Sequence, residues 1–346
     1  MGPLVGVAAA VTLLATGSPV AAAPATPHPR AQVLAADVLF GCADMTDTAS
    51  QRAMARRGVA GIVLLGSRAP RGLKADLTAV RRVAPPGRAP VVASDEEGGS
   101  VQRLGALLGD LPSAATMGGW SPARLQRTAD RYARGMARLG VRMSLAPVAD
   151  LRVPGSFLAR YGRAFAASPA AVGRAAVAWS TGTQAAGVTP VVKHWPGHGH
   201  ARDTHTATAR VPSLRHLRRA DLLPFQRAFD AGVEAVLVAH VRVRGLTRGN
   251  APASQSPRAL RFLRQQAGPD AVIITDSLSM AAASSARGLS PTQATVAALR
   301  AGADWAMVCT PRMGRVIDGV ARRIRSGALD RARLERSALR IRDLTR

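Results

Sequence analysis

The sequence contains little lysine, few aromatic residues and only two cysteines, and the first two shortages argue against a nucleic-acid-binding protein. Lys74 and Lys193 are the only lysines, so the formal net charge of +26 comes almost entirely from arginines scattered along the chain. Because aromatic residues make up only 3% of the chain and no nucleic-acid-binding motif occurs, we expect no specific nucleic-acid partner. We interpret the charge as a solvated surface that an anionic membrane or cell wall would attract, more weakly in salt.

The N-terminal apolar run is too short and too weakly apolar to span a bilayer. Residues 1–23 have the pattern of a signal peptide, because the run ends in the small-residue segment S-P-V-A-A-A, although no Lys or Arg precedes it. We expect a mature chain that begins near Pro24 or Ala25, a Pro-rich spacer over residues 24–33 and one domain over residues 34–346. The expected location is secreted or associated with the cell envelope.

Eight apolar, strand-like runs alternate with amphipathic helical segments along the rest of the chain. Continuous apolar strands separated by helices indicate a parallel sheet covered on both faces. Eight such units predict an α/β fold of the (β/α)8 TIM-type barrel class, for which 346 residues are enough in one domain. Ser121 to Leu139 and Ala328 to Thr345 are predicted to be outer helices. The runs lie near Asp37, Gly61, Pro90, Val141, Val188, Val233, Ala271 and Ala303.

The two cysteines, Cys42 and Cys309, show no C-x-x-C spacing of a zinc or redox site. They lie near the ends of the first and last predicted strands, which are neighbours in a closed barrel. A disulfide in an exported protein and two buried free thiols are both compatible with these positions.

The loops that follow the strands form the active face of such a barrel. Polar residues end several of the predicted strands, so we expect them to surround one pocket. These residues are Asp95, Glu96, Asp150, Lys193, His194, His240 and Asp276.

Asp276 and His205 are the candidate catalytic residues. Hydrolysis of a glycosidic bond needs a proton donor to the leaving oxygen and a carboxylate at the anomeric centre. Asp276 ends a β-branched run and is the candidate nucleophile; the alternative is a helix N-cap. His205 is the candidate proton donor, because the nearby Asp203 would orient its imidazole and favour the charged form. The alternative is an ordinary hydrogen bond between these two loop residues.

The histidines also raise the alternative of a zinc site, which would need about three ligands and an open position. A Pro-Gly pair separates the first two of them, so they do not share a helix as the histidines of H-E-x-x-H do. We therefore expect no functional metal. The histidines concerned are His194, His198, His200, His205 and His240.

Four further residues are candidates for contacts with sugar hydroxyls. Asp95 would accept hydrogen bonds from adjacent hydroxyls and Arg103, across two glycines, would donate a fork of them; alternatively the two form an ion pair. Arg163 and Lys193 would likewise reach the substrate or neutralise nearby carboxylates.

Four segments, in the same order, resemble the family 3 glycoside hydrolases, specifically their single-domain β-N-acetylglucosaminidase branch. D-E-E-G-G-S-V-Q-R-L at Asp95 is similar to the D-Q-E-G-G-R-V-Q-R loop of that branch, and L-A-P-V-A-D at Leu145 to its F-A-P-V-x-D strand. K-H-W-P-G-H-G at Lys193, followed by D-T-H, is similar to K-H-F-P-G-H-G followed by D-S-H. T-D-S-L-S-M at Thr275 is similar to S-D-D-L-S-M. The similarity extends from about Asp37 to the C-terminal region.

The resemblance implies a retaining hydrolase that releases β-N-acetylglucosamine from non-reducing ends of muropeptides or other cell-wall fragments through a covalent glycosyl-aspartate intermediate. Asp276 aligns with the nucleophile of the family, His205 with the general acid/base and Asp203 with its dyad partner. No cofactor or metal is implied. The residues that align with those holding the terminal N-acetylglucosamine are Asp95, Arg103, Arg163, Lys193 and His194.

The chain departs from the family pattern in three places. The loop between G-H-G and D-T-H is one residue shorter, Ser277 replaces a second Asp, and Ser100 replaces an Arg. We expect a single-domain enzyme whose acid/base lies on the barrel itself, without the sandwich domain of two-domain β-glucosidases. Two other functions stay open: a phosphorylase on the same scaffold, and a cell-wall sugar-binding protein without turnover. The sequence does not indicate the oligomeric state.

Overall fold

All eight apolar runs form strands in the computed structural model, which describes residues 1–2, 30–204 and 206–345. The strands are β1 (Leu39–Asp44), β2 (Gly61–Leu65), β3 (Val91–Ser94), β4 (Glu96–Gly98), β5 (Val101–Gln102), β6 (Met143–Ser144), β7 (Thr189–Pro190), β8 (Val192–Trp195), β9 (Ala209–Val211), β10 (Ala235–Val238), β11 (Val241–Val243), β12 (Val272–Thr275) and β13 (Ala306–Val308).

The strands pair in the order of a (β/α)8 barrel. Hydrogen bonds connect β13, β1, β2, β3, β6 and β7 into one sheet and β12, β10 and β8 into another, and all of these pairs are parallel. Isolated parallel bridges join Val148 to Lys193 and Ile274 to Trp305 at the two junctions between the sheets. The fifth predicted run forms both β7 and β8. The antiparallel pair of β4 and β5 and the parallel pair of β9 and β11 lie outside this series.

Helices connect the strands and cover the sheet. They are α1 (Ala31–Asp37), α2 (Thr48–Arg56), α3 (Leu73–Arg82), α4 (Gly105–Leu108), α5 (Ala114–Met117), α6 (Pro122–Leu139), α7 (Phe157–Arg160), α8 (Pro169–Ala185), α9 (Leu214–Arg219), α10 (Leu222–Asp230), α11 (Pro257–Ala267), α12 (Pro291–Ala301), α13 (Met313–Arg325) and α14 (Arg331–Leu344), with 3-10 turns at Ala253–Gln255 and Ser285–Arg287. Among the described helices, none is both long and apolar enough to cross a membrane.

Two outer helices agree with the sequence signals that predicted them. The Ser121 side chain accepts a hydrogen bond from the Arg124 N–H at the start of α6, Pro122 occupies the first helical position, and Gly140 ends the helix in the left-handed conformation. Helix α14 buries one apolar side and leaves its arginines mainly on the other.

The N-terminal boundary differs from the prediction in detail. Asp37, placed in the first strand-like run, is the last residue of α1, and the strand itself begins at Leu39. Helix α1 begins at Ala31, so the last three residues of the predicted 24–33 spacer are helical. Residues 3–29, which include most of the predicted signal peptide and spacer, lie outside the described residues.

The barrel interior is an apolar cluster built from strand residues that alternate inward. Trp305 stacks on Phe40 with ring centroids 4.2 Å apart, and both side chains are fully buried. Leu145, Leu237 and Met307 belong to the same cluster and form its upper layer, at the ends of their strands. This layer is the floor on which the polar loops rest.

A disulfide joins the first and last strands of the series. Cys42 lies in β1 and Cys309 directly follows β13, with a Cα–Cα distance of 4.7 Å. Because β1 and β13 are paired neighbours, the two cysteines meet at the same end of the sheet. Of the two alternatives left open by the sequence, the structure therefore has the disulfide.

Candidate active site

A cavity of about 230 Å³ opens at the carboxyl ends of the strands. Its floor is formed by Leu145, Leu237 and Met307 from the barrel interior. Seven of the eight predicted site residues line this cavity, and the eighth, His205, lies outside the described residues. The seven are Asp95, Arg103, Arg163, Lys193, His194, Asp203 and Asp276.

Glu97 is the centre of a charged cluster in the cavity and was not among the residues predicted from the sequence. Its carboxylate accepts two hydrogen bonds from Arg163, at 2.7 Å from Nε and 2.8 Å from Nη2, and Oε1 lies 2.7 Å from Nζ of Lys193. Burial alone would raise the pKa of Glu97, but the Lys193 ammonium and the Arg163 guanidinium hold it well below its usual range. Glu97 is therefore a permanent anion that fixes two cations in place.

Lys193 also pairs with Asp95, its nearest carboxylate. The Nζ atom lies 2.6 Å from Oδ1 of Asp95, whose Oδ2 lies 3.9 Å from Nη2 of Arg103. Burial opposes the charge on Lys193, but Asp95 and Glu97 raise its pKa, so the ammonium persists. Arg103, Arg163 and Lys193 therefore form the ion pairs with carboxylates that were one of the alternatives from the sequence, and all three also line the cavity.

Glu96 fixes the hairpin of β4 and β5 from below. Its carboxyl group accepts hydrogen bonds from the Ser94 hydroxyl (2.5 Å), the Tyr132 hydroxyl (2.8 Å) and the backbone N–H groups of Arg103 and Leu104 (3.3 and 3.4 Å). The residue is 1% exposed, and this burial raises its pKa to about 7. Placing Glu96 around the pocket from the sequence was wrong: it holds the loop and does not line the cavity.

Asp150 also supports the cavity without lining it. Its fully buried carboxylate accepts hydrogen bonds from His194 Nδ1 (2.7 Å), the His194 backbone N–H (3.1 Å) and the His198 backbone N–H (2.5 Å). Burial would raise the pKa of Asp150, but the two histidines lower it overall. As an anion it orients the His194 ring, whose edge lines the cavity.

His198 lines the cavity as a neutral imidazole. Burial, together with the nearby His194, lowers its pKa to about 4. Nε2 lies 3.2 Å from the Thr204 hydroxyl, and Nδ1 has no hydrogen-bond partner within the described chain. An uncharged, partly unsatisfied imidazole in a polar cavity is available to a substrate hydroxyl.

Glycines on both sides of His198 allow the loop to pack this closely. A Cβ atom on Gly197, at φ +121°, would lie 2.7 Å from Cβ of Asp221, and one on Gly199 would lie 2.3 Å from the Leu151 carbonyl oxygen. Both contacts are too short for any side chain. The P-G-H-G segment therefore requires glycine at these two positions.

The shortened loop still reaches the cavity, because Asp203 and Thr204 both line it. The Thr204 carbonyl oxygen accepts a hydrogen bond from the Ala282 N–H at 3.4 Å, on the segment that follows Asp276. The loop after β8 is thus held against the loop after β12. The loop that we expect to be one residue short therefore still brings Asp203 and Thr204 to the site.

Asp276 follows β12, and its Oδ1 accepts a hydrogen bond from the Ser277 N–H at 2.7 Å. Among the described residues after Asp276, the next α-helix begins only at Pro291. Asp276 therefore caps no helix, and the N-cap alternative is wrong. Burial would raise its pKa, but the His240 and His194 imidazoles and the Ser277 N–H lower it overall. His240 is buried outside the cavity, with Nε2 2.9 Å from the Ser277 carbonyl oxygen, so its expected place around the pocket was wrong.

Comparisons with known proteins agree on one family. Residues 31–344 match the model of the glycosyl hydrolase family 3 N terminal domain. Beta-hexosaminidase LpqI of Mycobacterium tuberculosis is 36% identical over 260 residues, which cover 72% of this chain and 66% of that protein. The chain therefore spans slightly less than two thirds of this relative.

Solved structures show the same fold. A glycosyl hydrolase of the GH3 family from Mycobacterium smegmatis superposes with a TM-score of 0.83 at 32% identity, covering 91% of this chain and 97% of that chain. A family 3 beta-N-acetylglucosaminidase from Paenibacillus superposes with a TM-score of 0.81 at 26% identity, covering 90% of this chain and 61% of that chain. The barrel fold class predicted from the sequence is confirmed.

Proposed function

This chain belongs to glycosyl hydrolase family 3, and from that membership we propose that it releases terminal β-N-acetylglucosamine from the non-reducing ends of cell-wall glycans by a retaining mechanism. The observation that carries the proposal is the convergence of Asp276, Asp203 and the sugar-binding candidates on one cavity. At about 230 Å³ the cavity lies below the usual range for ligand pockets, about 300–1,000 Å³. This size suits one terminal sugar better than the middle of a chain.

Asp276 is the proposed nucleophile. Its lowered pKa keeps the carboxylate ionised at neutral pH, so an oxygen can attack the anomeric carbon while the glycosidic bond breaks. The product of this step is a glycosyl ester on Asp276. Water then attacks the same carbon, the ester bond breaks, and the sugar leaves with its original anomeric configuration.

Asp203 and His205 are the proposed acid/base pair. In the first step His205 donates a proton to the leaving oxygen, and in the second it accepts a proton from the attacking water. His205 is assigned by the family resemblance, and its neighbours Asp203 and Thr204 line the cavity. The contact of Thr204 with Ala282 supports this assignment, because it holds the loop near the segment that carries Asp276.

The charged cluster is the proposed binding site for the terminal sugar. Asp95 would accept hydrogen bonds from two adjacent hydroxyls, while Lys193 and Arg163 would donate from positions that Glu97 fixes. His194 adds a ring nitrogen whose orientation Asp150 sets. Cations that are already positioned lose little conformational entropy when the substrate binds.

Trapping of the glycosyl-enzyme tests this proposal directly. The protein is incubated with a fluorinated N-acetylglucosamine analogue bearing an activated leaving group, digested and examined by mass spectrometry. We expect one sugar per chain on the peptide that contains Asp276, and no label in Asp276→Asn. Label on another residue would contradict the nucleophile assignment, and binding without hydrolysis would contradict the enzymatic proposal.

The products distinguish hydrolysis from phosphorolysis. We expect free N-acetylglucosamine from a nitrophenyl N-acetylglucosaminide with or without added phosphate. Sugar 1-phosphate that appears only with phosphate would show that a phosphorylase is the correct assignment.

The proposed site of action is the cell envelope. It rests on the leader pattern at residues 1–23 and on the net charge of +26, which would attract anionic wall polymers. Fractionation of cells that express the full chain or a variant without residues 1–23 tests it. We expect the full chain outside the cytoplasm and the shortened variant within it, and an equal distribution of the two would contradict export.

A further inference from the structure

Asp221, at the junction of α9 and α10, is a fully buried carboxylate, and neither of its oxygens has a hydrogen bond of normal geometry within the described chain. Its position at the start of α10 would allow it to cap the helix, but its side chain makes no such bond. Buried ionised carboxylates are costly unless a cation or hydrogen-bond donors compensate them. The surroundings of Asp221 should therefore contain, or be built to receive, a positive charge.

Two imidazoles face this carboxylate, one across each oxygen. Nε2 of His200 lies 3.4 Å from Oδ1 of Asp221, and Nε2 of His216 lies 3.6 Å from Oδ2. One ligand atom from each of the three residues can be chosen so that all lie within 4.8 Å of one another. The two rings meet edge to face with centroids 5.4 Å apart.

The nitrogen-to-oxygen distances are longer than hydrogen bonds and compatible with ligands gathered around an ion. Hydrogen bonds between nitrogen and oxygen usually measure about 2.7–3.2 Å, shorter than both contacts. Zinc binds histidine nitrogen and carboxylate oxygen at about 2.0–2.1 Å in a tetrahedron, whose ligands lie about 3.4 Å from one another. The 3.4 Å from His200 Nε2 to Asp221 Oδ1 equals that edge length, whereas the 3.6 Å from His216 Nε2 is measured to Oδ2, so one Asp221 oxygen would reach both rings only after a small side-chain rotation.

We propose that His200, His216 and Asp221 form a binding site for a divalent transition metal ion of the zinc class, with water as the fourth ligand. Two imidazoles and one carboxylate favour zinc over magnesium or calcium, which prefer oxygen ligands. The site is open to solvent on one side, because the His216 side chain is 51% exposed and that of His200 25%. None of the three residues lines the catalytic cavity.

The sequence did not predict this site. Of its three residues, only His200 is among the histidines for which the sequence raised the alternative of a zinc site. His216 lies on α9 and Asp221 between α9 and α10, so neither is near the K-H-W-P-G-H-G motif in the chain. Helix α9 also carries arginines, but Arg215, Arg218 and Arg219 are exposed, and solvent ions screen their repulsion of a cation.

A metal ion here would tie the catalytic loop to the helical layer. His200 lies three residues before Asp203 in the loop between β8 and β9, whereas the other two ligands belong to the α9–α10 junction. The backbone already approaches the junction closely at Gly197. The ion would therefore restrain one end of the segment that carries the proposed acid/base pair.

Equilibrium dialysis of the metal-free full chain against micromolar Zn²⁺, followed by metal analysis, tests the proposal. We expect one zinc ion per chain. In His200→Ala and in His216→Ala the dissociation constant for zinc should rise by at least about 10–100-fold, which is the cost of losing an outer-shell partner of a metal ligand. Arg215→Ala, next to His216 on the same exposed helix, should bind like the wild type. Asp203→Asn should also bind normally, because Asp203 belongs to the catalytic cavity.

Co²⁺ in place of Zn²⁺ provides a second readout. We expect the visible absorption bands of tetrahedral cobalt in the wild type and their loss in both histidine variants. Zinc should raise the unfolding temperature of the wild type but not that of the variants. A cooperative unfolding transition in each variant also shows that the variant is folded. Absence of stoichiometric zinc binding, or equal binding by the wild type and both histidine variants, would overturn the proposal.

Discussion

Replacement of Glu96 by Gln should stabilise the protein at pH 8 and change its stability little at pH 4.5 or below. The carboxyl group is buried, and four donors surround it: two hydroxyls and two backbone N–H groups. Glutamine has nearly the same shape and stays uncharged. Its carbonyl oxygen can replace Oε2 and accept from the Tyr132 hydroxyl and the Leu104 N–H, while its amide replaces Oε1 and donates to the Ser94 oxygen, so that only the long 3.3 Å contact from the Arg103 N–H is lost.

The magnitude follows from the change in pKa between the unfolded and folded states. Burial raises the pKa of Glu96 from 4.5 to about 7 in the folded protein, which corresponds to about 3 kcal/mol. Because the folded state binds the proton more tightly, the free energy of unfolding falls as the pH rises from about 4.5 to about 7. The full penalty of about 3 kcal/mol is present above that range and absent below it, and glutamine removes it.

Urea unfolding of the wild type and Glu96→Gln at pH 4.5, 6, 7 and 8 measures this difference. The stability gain of the variant should grow from near zero to about 3 kcal/mol across that series. Glu97→Gln is the matched control, because burial there is outweighed by Lys193 and Arg163 and the pKa is lowered. The ionised Glu97 stabilises the protein above about pH 4.5, and this stabilisation is lost as the pH falls. Glu97→Gln should therefore lower the free energy of unfolding by about 3–5 kcal/mol at pH 7. A Glu96→Gln gain that does not vary with pH would refute the reasoning.

Three further predictions concern catalysis and the disulfide. Asp276→Ala should reduce turnover by at least about 10⁴-fold while leaving the circular dichroism spectrum unchanged; near-normal turnover would exclude a nucleophile at this position. His205→Ala should slow hydrolysis of natural glycans by about 10²–10⁴-fold and of nitrophenyl glycosides much less, because only the former need strong protonation of the leaving group; equal losses would argue against the acid/base assignment. The double variant Cys42→Ser and Cys309→Ser should lower the free energy of unfolding by about 2–5 kcal/mol and become insensitive to reductant; a reductant effect as large as in the wild type would show that the disulfide is not its source.

The strands and the edge of the sheet that carries the site could be predicted from the sequence, because both depend on local patterns. Apolar runs mark buried strands wherever they fold, and the residues after them reach the same face of the barrel. These patterns are sufficient to predict that Asp95, Lys193 and Asp276 share one cavity, as they do in the structure.

The roles of Glu96 and Glu97 could not be separated from the sequence. Adjacent residues in a strand point to opposite faces, so one of the two had to leave the cavity, but the sequence does not state which. The structure places Glu97 in the cavity among cations and Glu96 beneath the hairpin. Identical side chains thus acquire pKa values shifted in opposite directions, raised for Glu96 and lowered for Glu97.

The long-range pairings were also beyond sequence patterns. The two states of Cys42 and Cys309 could be distinguished only after β1 and β13 had been shown to pair. Likewise, His200 meets Asp221 only because Gly197 lets the loop lie against the start of α10. Contacts of this kind depend on packing between elements that are distant in the chain.

The position of the disulfide has a consequence for how the protein would survive proteolysis. Its two cysteines are 267 residues apart, so almost every loop of the barrel lies between them. A single cut in any of these loops would produce two fragments that remain covalently joined, with the first and last strands still side by side. One such cut would therefore not let either half of the barrel diffuse away from the other.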